Sequence, residues 1–464
     1  MITNFNDIRN NPALIDLGLL RQHPAVAVIG HKNADLDSMV AGYLMTHTLR
    51  ELGINAKFAI LDSKVDPYFQ TMANLLHFNI EFETALNDGD ALFLVDHDDA
   101  YDHPVVGCFD HHPTNVGVEH NYLNIPKTCC ALIVHEWAEL MGVKVPEVFT
   151  KMTIYACHMD SLSFKSSKAL PEDRVWCRKM MTEFGINEAE VISFGYGLTD
   201  RNLPYDEYLL TGKKSHAFGD KQICSSYAVT EDNDDDLDKA ARTLKNWLND
   251  DVVAWCYLIQ NAKDDVTHIL LVTKDYYMIQ TVNRLLSRGK DVIPPVIAYL
   301  SSANDGEVTK LMIDNGMKVA TMESCTSGLI ASNITDYEGA SAVLEGSCIT
   351  YANRTKVMAG VNADIIDTYG VYSAETAAAM AKATREKFNA DVGIGITGSM
   401  GNVDPANPDS VAGEIYFHIL HDGNENPIKL VYPKLDDPRK KMKQRTVDIV
   451  IRVLHTILMR KHKK

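Results

Sequence analysis

Between residues 25 and 190 the chain repeats one pattern, a short apolar run of strand length followed by a segment whose apolar positions recur with helical period. The strand candidates are 25–29, 58–61, 91–95 and 105–109, and residues 39–52, 128–142, 147–158 and 171–184 read as helices. Strands that alternate with helices pair in parallel through crossover connections, so the pattern predicts an open α/β sheet. The carboxyl ends of its strands lie along one edge, where such sheets bind ligands. This chain concentrates its chemistry there. Gly30-His31-Lys32-Asn33-Ala34-Asp35-Leu36-Asp37-Ser38 follows the first run, Asp96 ends the third, and Asp110, followed by His111 and His112, ends the fourth. An imidazole and two carboxylates within the first stretch supply the nitrogen and oxygen donors of a metal site. The same stretch also reads as a solvated turn whose Asp residues cap the helix beginning near Ser38. In extended chain, adjacent residues point to opposite sides, so one histidine of the 111–112 pair can bind metal while the other faces substrate.

Past residue 194 the segment 195–206, rich in Gly, Pro and turn formers, reads as a linker. A second unit follows, with strand candidates at 222–229, 252–259 and 268–272 and a helix at 237–248. Its acidic run 231–236 reads as a solvated loop, because EF-hand spacing and its glycine are missing. A polar linker at 301–306 precedes a third alternating unit, with strands at 318–322, 348–351, 392–397 and 413–419 and helices at 328–335 and 374–388. The expected domains are therefore 1–194, 207–300 and 307–464, in keeping with a length of 464 residues at about 150 per domain.

A net charge of −17, offset by no basic run except Arg460-Lys461-His462-Lys463-Lys464, opposes binding to nucleic-acid polymers or anionic membranes and leaves small anionic substrates open. No apolar run is long enough to span a bilayer, and the N-terminus lacks a signal-peptide pattern. Nine scattered cysteines without a Cys-x-x-Cys pair indicate neither a zinc site nor a disulfide framework, so a cytoplasmic location with reduced thiols is expected. A homo-oligomer is compatible with the sequence.

With Val95-Asp96-His97, Asp110-His111-His112, Met159-Asp160-Ser161-Leu162-Ser163-Phe164-Lys165-Ser166 and Ser287-Arg288-Gly289-Lys290-Asp291 added to the 30–38 stretch, the first 300 residues resemble the DHH phosphoesterases, and among them the family II manganese-dependent inorganic pyrophosphatases. The resemblance implies a parallel-sheet catalytic domain and a smaller α/β domain that closes over substrate. It implies two divalent cations, Mn²⁺ foremost with Co²⁺ or Mg²⁺ as alternatives, one held by His31 and Asp35 and the other by Asp37, His111 and Asp160, with Asp96 bridging. His112 would serve the leaving phosphate as acid or donor, and Lys214, Arg288 and Lys290 would hold phosphate oxygens. The chain departs from that family at Ala34 and Leu36, at Pro113, and at Gly289, which interrupts a consecutive basic pair.

Met322-Glu323-Ser324-Cys325-Thr326-Ser327-Gly328 falls at a strand-to-helix junction, where free backbone N–H groups favour an anion and Ser324 reads as either a nucleophile or a helix cap. With Gly339-Ala340-Ser341, Tyr351, Lys356, Gly370-Val371-Tyr372-Ser373 and Thr397-Gly398-Ser399-Met400-Gly401, residues from 307 to about 460 resemble the C-terminal domain of CinA, the nicotinamide-nucleotide amidohydrolases. That resemblance implies hydrolysis of the carboxamide of nicotinamide mononucleotide with Ser324 as nucleophile, Lys356 and Tyr351 as activating groups, and Thr326, Thr397 and Gly398 at phosphate or oxyanion contacts. Departures lie at Ser327-Gly328 and Met400-Gly401-Asn402. The expected activity is a dimetal phosphohydrolase on pyrophosphate or a small phosphate ester, fused to an amidohydrolase-like domain. The alternative is a sensor or scaffold in which the CinA-like domain binds a nucleotide without turnover and regulates the phosphohydrolase.

Overall fold

The computed structural model describes residues 2–11, 14–62, 64–112, 121–231, 235–302, 306–408, 410–421, 427–435 and 437–459. Pro113, residues 232–234 of the acidic run, the middle of the 301–306 linker and the basic tail lie outside the described residues. Two compact units form, Met1–Leu198 and Thr199–Lys464.

The first unit is built on five strands, β1 (Val26–Ile29), β2 (Ala56–Ala59), β3 (Ala91–Val95), β4 (Val105–Asp110) and β5 (Tyr122–Asn124), in the order β2-β1-β3-β4-β5. Every pair is parallel. β1 and β3 are buried along their whole length, as apolar strands covered on both faces by helices must be. Helices Leu36–Glu51, Cys130–Leu140 and Glu147–Asp160 supply much of that cover. Gly42 on the first of them has no alternative, because a Cβ there would sit 2.1 Å from the Phe58 ring on β2. The chain order reverses between β1 and β3, and this creates a crevice at their carboxyl ends. The α/β architecture expected from the alternation is the one found, although β3 passes to β4 through the loop 96–104 without a helix.

The second unit carries one mixed sheet of ten strands: β6 (Lys214–Phe218), β7 (Lys221–Thr230), β8 (Val252–Asn261), β9 (Val266–Thr273), β10 (Tyr277–Val282), β11 (Val319–Glu323), β12 (Leu344–Ile349), β13 (Val392–Gly398), β14 (Glu414–Leu420) and β15 (Ile428–Val431). Their order is β12-β11-β13-β14-β15-β10-β9-β8-β7-β6. The segments expected to be separate second and third domains are therefore joined. β15 pairs antiparallel with β10, Tyr277 opposite Val431 and Gln280 opposite Ile428. One core runs beneath both segments, from Ile223, Leu258 and Met278 to Val319, Ile394 and Leu454. The 195–206 stretch is less of a linker than its composition predicts, since one helix runs to Tyr196 and another begins at Tyr205. Among the described residues no helix is long and apolar enough to cross a membrane.

Candidate functional site

The loop after β1 delivers His31, and the helix that follows begins at Leu36 with Asp35 as its cap. Asp35 caps the helix and also stands beside His31. One oxygen accepts from Ser38 N–H (3.3 Å), and the other lies 3.4 Å from His31 Nε2. Asp37, in the first turn, is buried and accepts from the Cys130 and Ala131 N–H groups (2.6 and 2.8 Å), so it caps helix Cys130–Leu140 from outside. Asp96 ends β3 with φ of +67°, a strained setting for a non-glycine residue that aims its carboxylate into the crevice. Ser38 Oγ donates to Asp96 Oδ2 at 2.8 Å and fixes its orientation.

Asp96 divides its oxygens between two groups. Oδ2 lies 3.6 Å from His31 Nε2, and Oδ1 lies 3.2 Å from His111 Nε2. His111 Nε2 also lies 3.6 Å from Asp37 and 3.7 Å from Asp160. Three overlapping donor clusters result among the described residues: His31 with Asp35 and Asp96, Asp37 with His111 and Asp160, and Asp96 with His111 and His112. His31 Nδ1 and His111 Nδ1 each sit against a backbone carbonyl, Lys32 O at 3.0 Å and Lys127 O at 2.9 Å. A carbonyl only accepts, so each Nδ1 carries a proton and Nε2 is the nitrogen presented to the carboxylates.

The electrostatics ask for cations. Burial, then the Asp96 charge, push the Asp37 carboxyl well above its usual range. Burial presses on Asp96 in the same direction, but the His111 imidazole beside it and the His112 charge hold it low. Asp96 Oδ1 and His111 Nε2 are sealed from solvent with no aligned hydrogen bond. Positive charge is wanted between them; a proton meets that need when Asp96 lifts His111 to about 10 against the downward push of burial. Carboxylates and imidazoles so arranged are the donor set of a divalent transition metal, and the residues fit one.

Asp110 accepts from the His111 and His112 N–H groups (2.7 and 3.1 Å) and from His112 Nδ1 (2.9 Å), so it shapes a turn that keeps the two imidazoles together, ring centroids 4.3 Å apart and both beside Asp96 Oδ1, instead of on the opposite sides that extended chain would give them. His112 is the more open of the two, with its side chain 40% exposed against 3% for His111. Lys168 escaped the sequence reading. Its Nζ donates to both oxygens of Asp160 at 2.7 Å. Burial lowers the Lys168 pKa, but the Asp160 carboxylate more than reverses this. Its spacing from Asp160 carries no helical or strand signal, because the intervening loop turns through Leu162, Ser163 and Phe164, all at positive φ.

In the second unit, Arg288 Nη1 donates to Gly212 O and its guanidinium lies 5.1 Å from the Tyr227 ring centroid. This brings the Ser287–Lys290 turn beside the start of the β6 hairpin, where Lys214 is exposed. Lys290 is also exposed, and Gly289 between it and Arg288 faces open space.

At the end of β11, Ser324 and Lys356 come together as foreseen. Lys356 is wholly buried, and its Nζ donates to Ser324 Oγ (3.2 Å) and Thr350 O (2.9 Å). Burial draws its pKa down to about 8. Other expectations need correction. The N–H groups beyond the serine do not wait for an external anion, because Glu323 fills their place, accepting from Gly328, Ile330 and Ala331 N–H and from Thr326 Oγ1 (2.7 Å). Thr397 Oγ1 is likewise spent on Val371 O (2.9 Å). Gly398 owes its lack of a side chain to β14, since a Cβ would meet Glu414 O and Ile415 Cα at 2.6 Å. Tyr351 stands 61% exposed with its hydroxyl on Arg439 Nη2 (3.1 Å).

Comparison with known proteins follows the same division. Residues 25–157 match the DHH family, N-terminal domain, and residues 302–458 match the CinA C-terminal domain. A putative competence-damage inducible protein of Clostridium novyi is 36% identical over 208 residues, 43% of this chain and 49% of that protein. A CinA-like protein of Akkermansia muciniphila is 33% identical over 193 residues, 41% of this chain and 44% of its own. The chain thus spans about half the length of the curated relatives it matches. A solved structure titled as a putative family II inorganic pyrophosphatase of Methanococcus jannaschii superposes with a TM-score of 0.50 at 18% identity, over 59% of this chain and 98% of that one, a likeness of fold.

Proposed function

We propose that this chain, in which a DHH family N-terminal domain is fused to a CinA C-terminal domain, is a divalent-metal-dependent hydrolase of phosphoanhydrides or small phosphate esters. The observation that carries the reading is Asp96, one carboxylate serving two donor groups. His31 and Asp35 would hold one cation and Asp37, His111 and Asp160 the other, with Mn²⁺ suited to so mixed a set of oxygens and imidazoles. When bound, such a pair polarises phosphoryl oxygens and acidifies water. His112, anchored at Nδ1 by Asp110, would give a proton to the departing phosphate oxygen. Lys214, Arg288 and Lys290 would neutralise charge on the phosphates. Asp96→Ala tests the reading: both metals should be lost, and phosphate release should fall about a hundredfold or more. Two retained equivalents of metal with near-wild-type turnover would overturn it.

The Ser324–Lys356 contact supports a second activity in the C-terminal domain, carboxamide hydrolysis on a nicotinamide nucleotide. Lys356 would take the Ser324 proton, Oγ would bond to the carboxamide carbon, and ammonia would leave before water frees the enzyme. The regulatory reading, in which the nucleotide binds without turnover, draws on the β10–β15 pairing that ties this domain to the segment carrying Arg288. Ammonia release decides between them. Under the regulatory reading it is absent, while added nucleotide changes the rate of phosphate release.

A further inference from the structure

Helix Leu36–Glu51 carries a second stripe that the metal ligands do not use. Tyr43, Thr46, His47 and Arg50 recur at i, i+3, i+4 and i+7, one face of the helix, and each of them bears a polar group where a packed face is ordinarily apolar. With Phe58 of β2, residues of the 78–83 segment and Phe149, they line a cavity of about 340 Å³. That is room for a small organic ligand. Thr46 stands nine residues beyond Asp37, about 14 Å along the helix axis, so the cavity is separate from the crevice that holds the metal-binding groups. Thr46 is only 4% exposed, and its Oγ1 and His47 Nε2 are sealed from solvent with no hydrogen-bond partner. Native folds rarely leave such groups unmet.

The charges around the cavity narrow what would meet them. Lys57 Nζ is taken up by Asp90 at 2.6 Å, and Glu81 accepts from Asn79 Nδ2 at 2.5 Å. Arg50 and Glu83 remain, and among the described residues no ion pair joins them to each other or to a third group. Arg50 Nε donates to Ala56 O (2.7 Å), which leaves its terminal nitrogens for a ligand, and Glu83 N–H donates to Phe58 O (2.9 Å). The two residues are thus anchored two places, about 7 Å, apart along β2. A bare anion would be repelled by Glu83 and a bare amine by Arg50. We infer that this cavity binds a free α-amino acid, its carboxylate on Arg50, Thr46 and His47, its ammonium on Glu83, and an uncharged side chain against the Phe82 and Phe149 rings. The inference goes beyond both hydrolase readings and depends on neither.

Calorimetric titration of the full chain with the protein amino acids, each beside its deaminated acid and its decarboxylated amine, tests it; for leucine these partners are 4-methylpentanoate and 3-methylbutylamine. At least one amino acid should bind, and loss of either charged group should weaken binding about tenfold or more. Arg50→Gln and Glu83→Gln, both at exposed positions, should weaken it to the same extent, and Thr46→Val, which keeps the shape of the side chain, about fivefold. Hydrogen exchange should show the bound amino acid protecting peptides that span 43–50 and 78–83. If Arg50→Gln loosens the helix end by losing its bond to Ala56, Glu83→Gln decides, since that carboxylate has no side-chain partner to lose among the described residues. Failure of every amino acid to bind at millimolar concentration would overturn the inference. So would binding that Glu83→Gln leaves unchanged, or a deaminated acid that binds as well as its amino acid, which would make this a site for plain carboxylates.

Discussion

Burial strips Lys356 of its hydration and draws its pKa to about 8, with Ser324 Oγ 3.2 Å away. A lysine acts as base only when neutral. Below that pKa the ammonium dominates and cannot take the serine proton; above it the amine dominates. Labelling of Ser324 by a fluorophosphonate should therefore rise with pH to a plateau near pH 9, and at pH 6 it should run about a hundredfold slower, two units below the pKa. Lys356→Arg, which keeps the charge but cannot lose its proton, should label slowly at every pH. Wild-type labelling that is flat from pH 6 to 9 would remove Lys356 from that role. Residues of this kind were legible in the sequence because strand ends place them. The roles of Ser38 and Lys168 were not legible, because each acts through a side-chain contact, with Asp96 and with Asp160, that the fold makes and no sequence period announces.

At the scale of elements, buried strands announced themselves and edge or junction strands did not. β1, β3 and β13 are buried throughout; β1 and β3 read as continuous apolar runs, and β13 as Val and Ile alternating with glycine. β6 alternates exposed and half-buried residues, and β15 is only Ile-Lys-Leu-Val, so the partners beside them define these strands better than composition does. The glycine at the end of β13 invited a functional reading as part of a binding loop, whereas its neighbours show a packing need. Gly398→Ala would drive a Cβ to 2.6 Å from the β14 backbone, which cannot yield as a flexible side chain would. A loss of about 1–3 kcal/mol in urea unfolding is expected. Gly401, with nothing within 4 Å of its Cβ position, serves as the comparison and should accept Ala at little cost. Equal effects at the two positions would show that backbone entropy, common to both, governs rather than the approach of β14.

At the scale of the molecule, reading the C-terminal half as a self-sufficient domain on a short linker predicts that a protein ending at Ser302 keeps its remaining fold. The ten-stranded sheet predicts otherwise. Removing β15 leaves the N–H and C=O groups of Tyr277 to Gln280 without partners along that edge, each bond worth about 1 kcal/mol net. It also takes Val431 out of the cluster formed by Tyr208, Leu244 and Trp255, and Tyr432 away from Tyr276, whose hydroxyl meets Tyr299 at 2.7 Å. Helix Ile293–Ser301 loses the helix Arg439–Met459 against which it packs. A newly bared strand flanked by apolar surface is a template for self-association. The truncated protein should therefore aggregate, or unfold residues 199–302 at markedly lower temperature, while the first unit, whose candidate metal-binding groups all lie before Leu198, should still bind Mn²⁺ under the proposed reading. Light scattering and calorimetry follow the first outcome, and metal analysis follows the second. A monomeric truncated protein in which residues 199–302 melt at the wild-type temperature would mean that the β10–β15 junction is a contact without energetic weight, and the regulatory reading built on it would then have no path through the sheet.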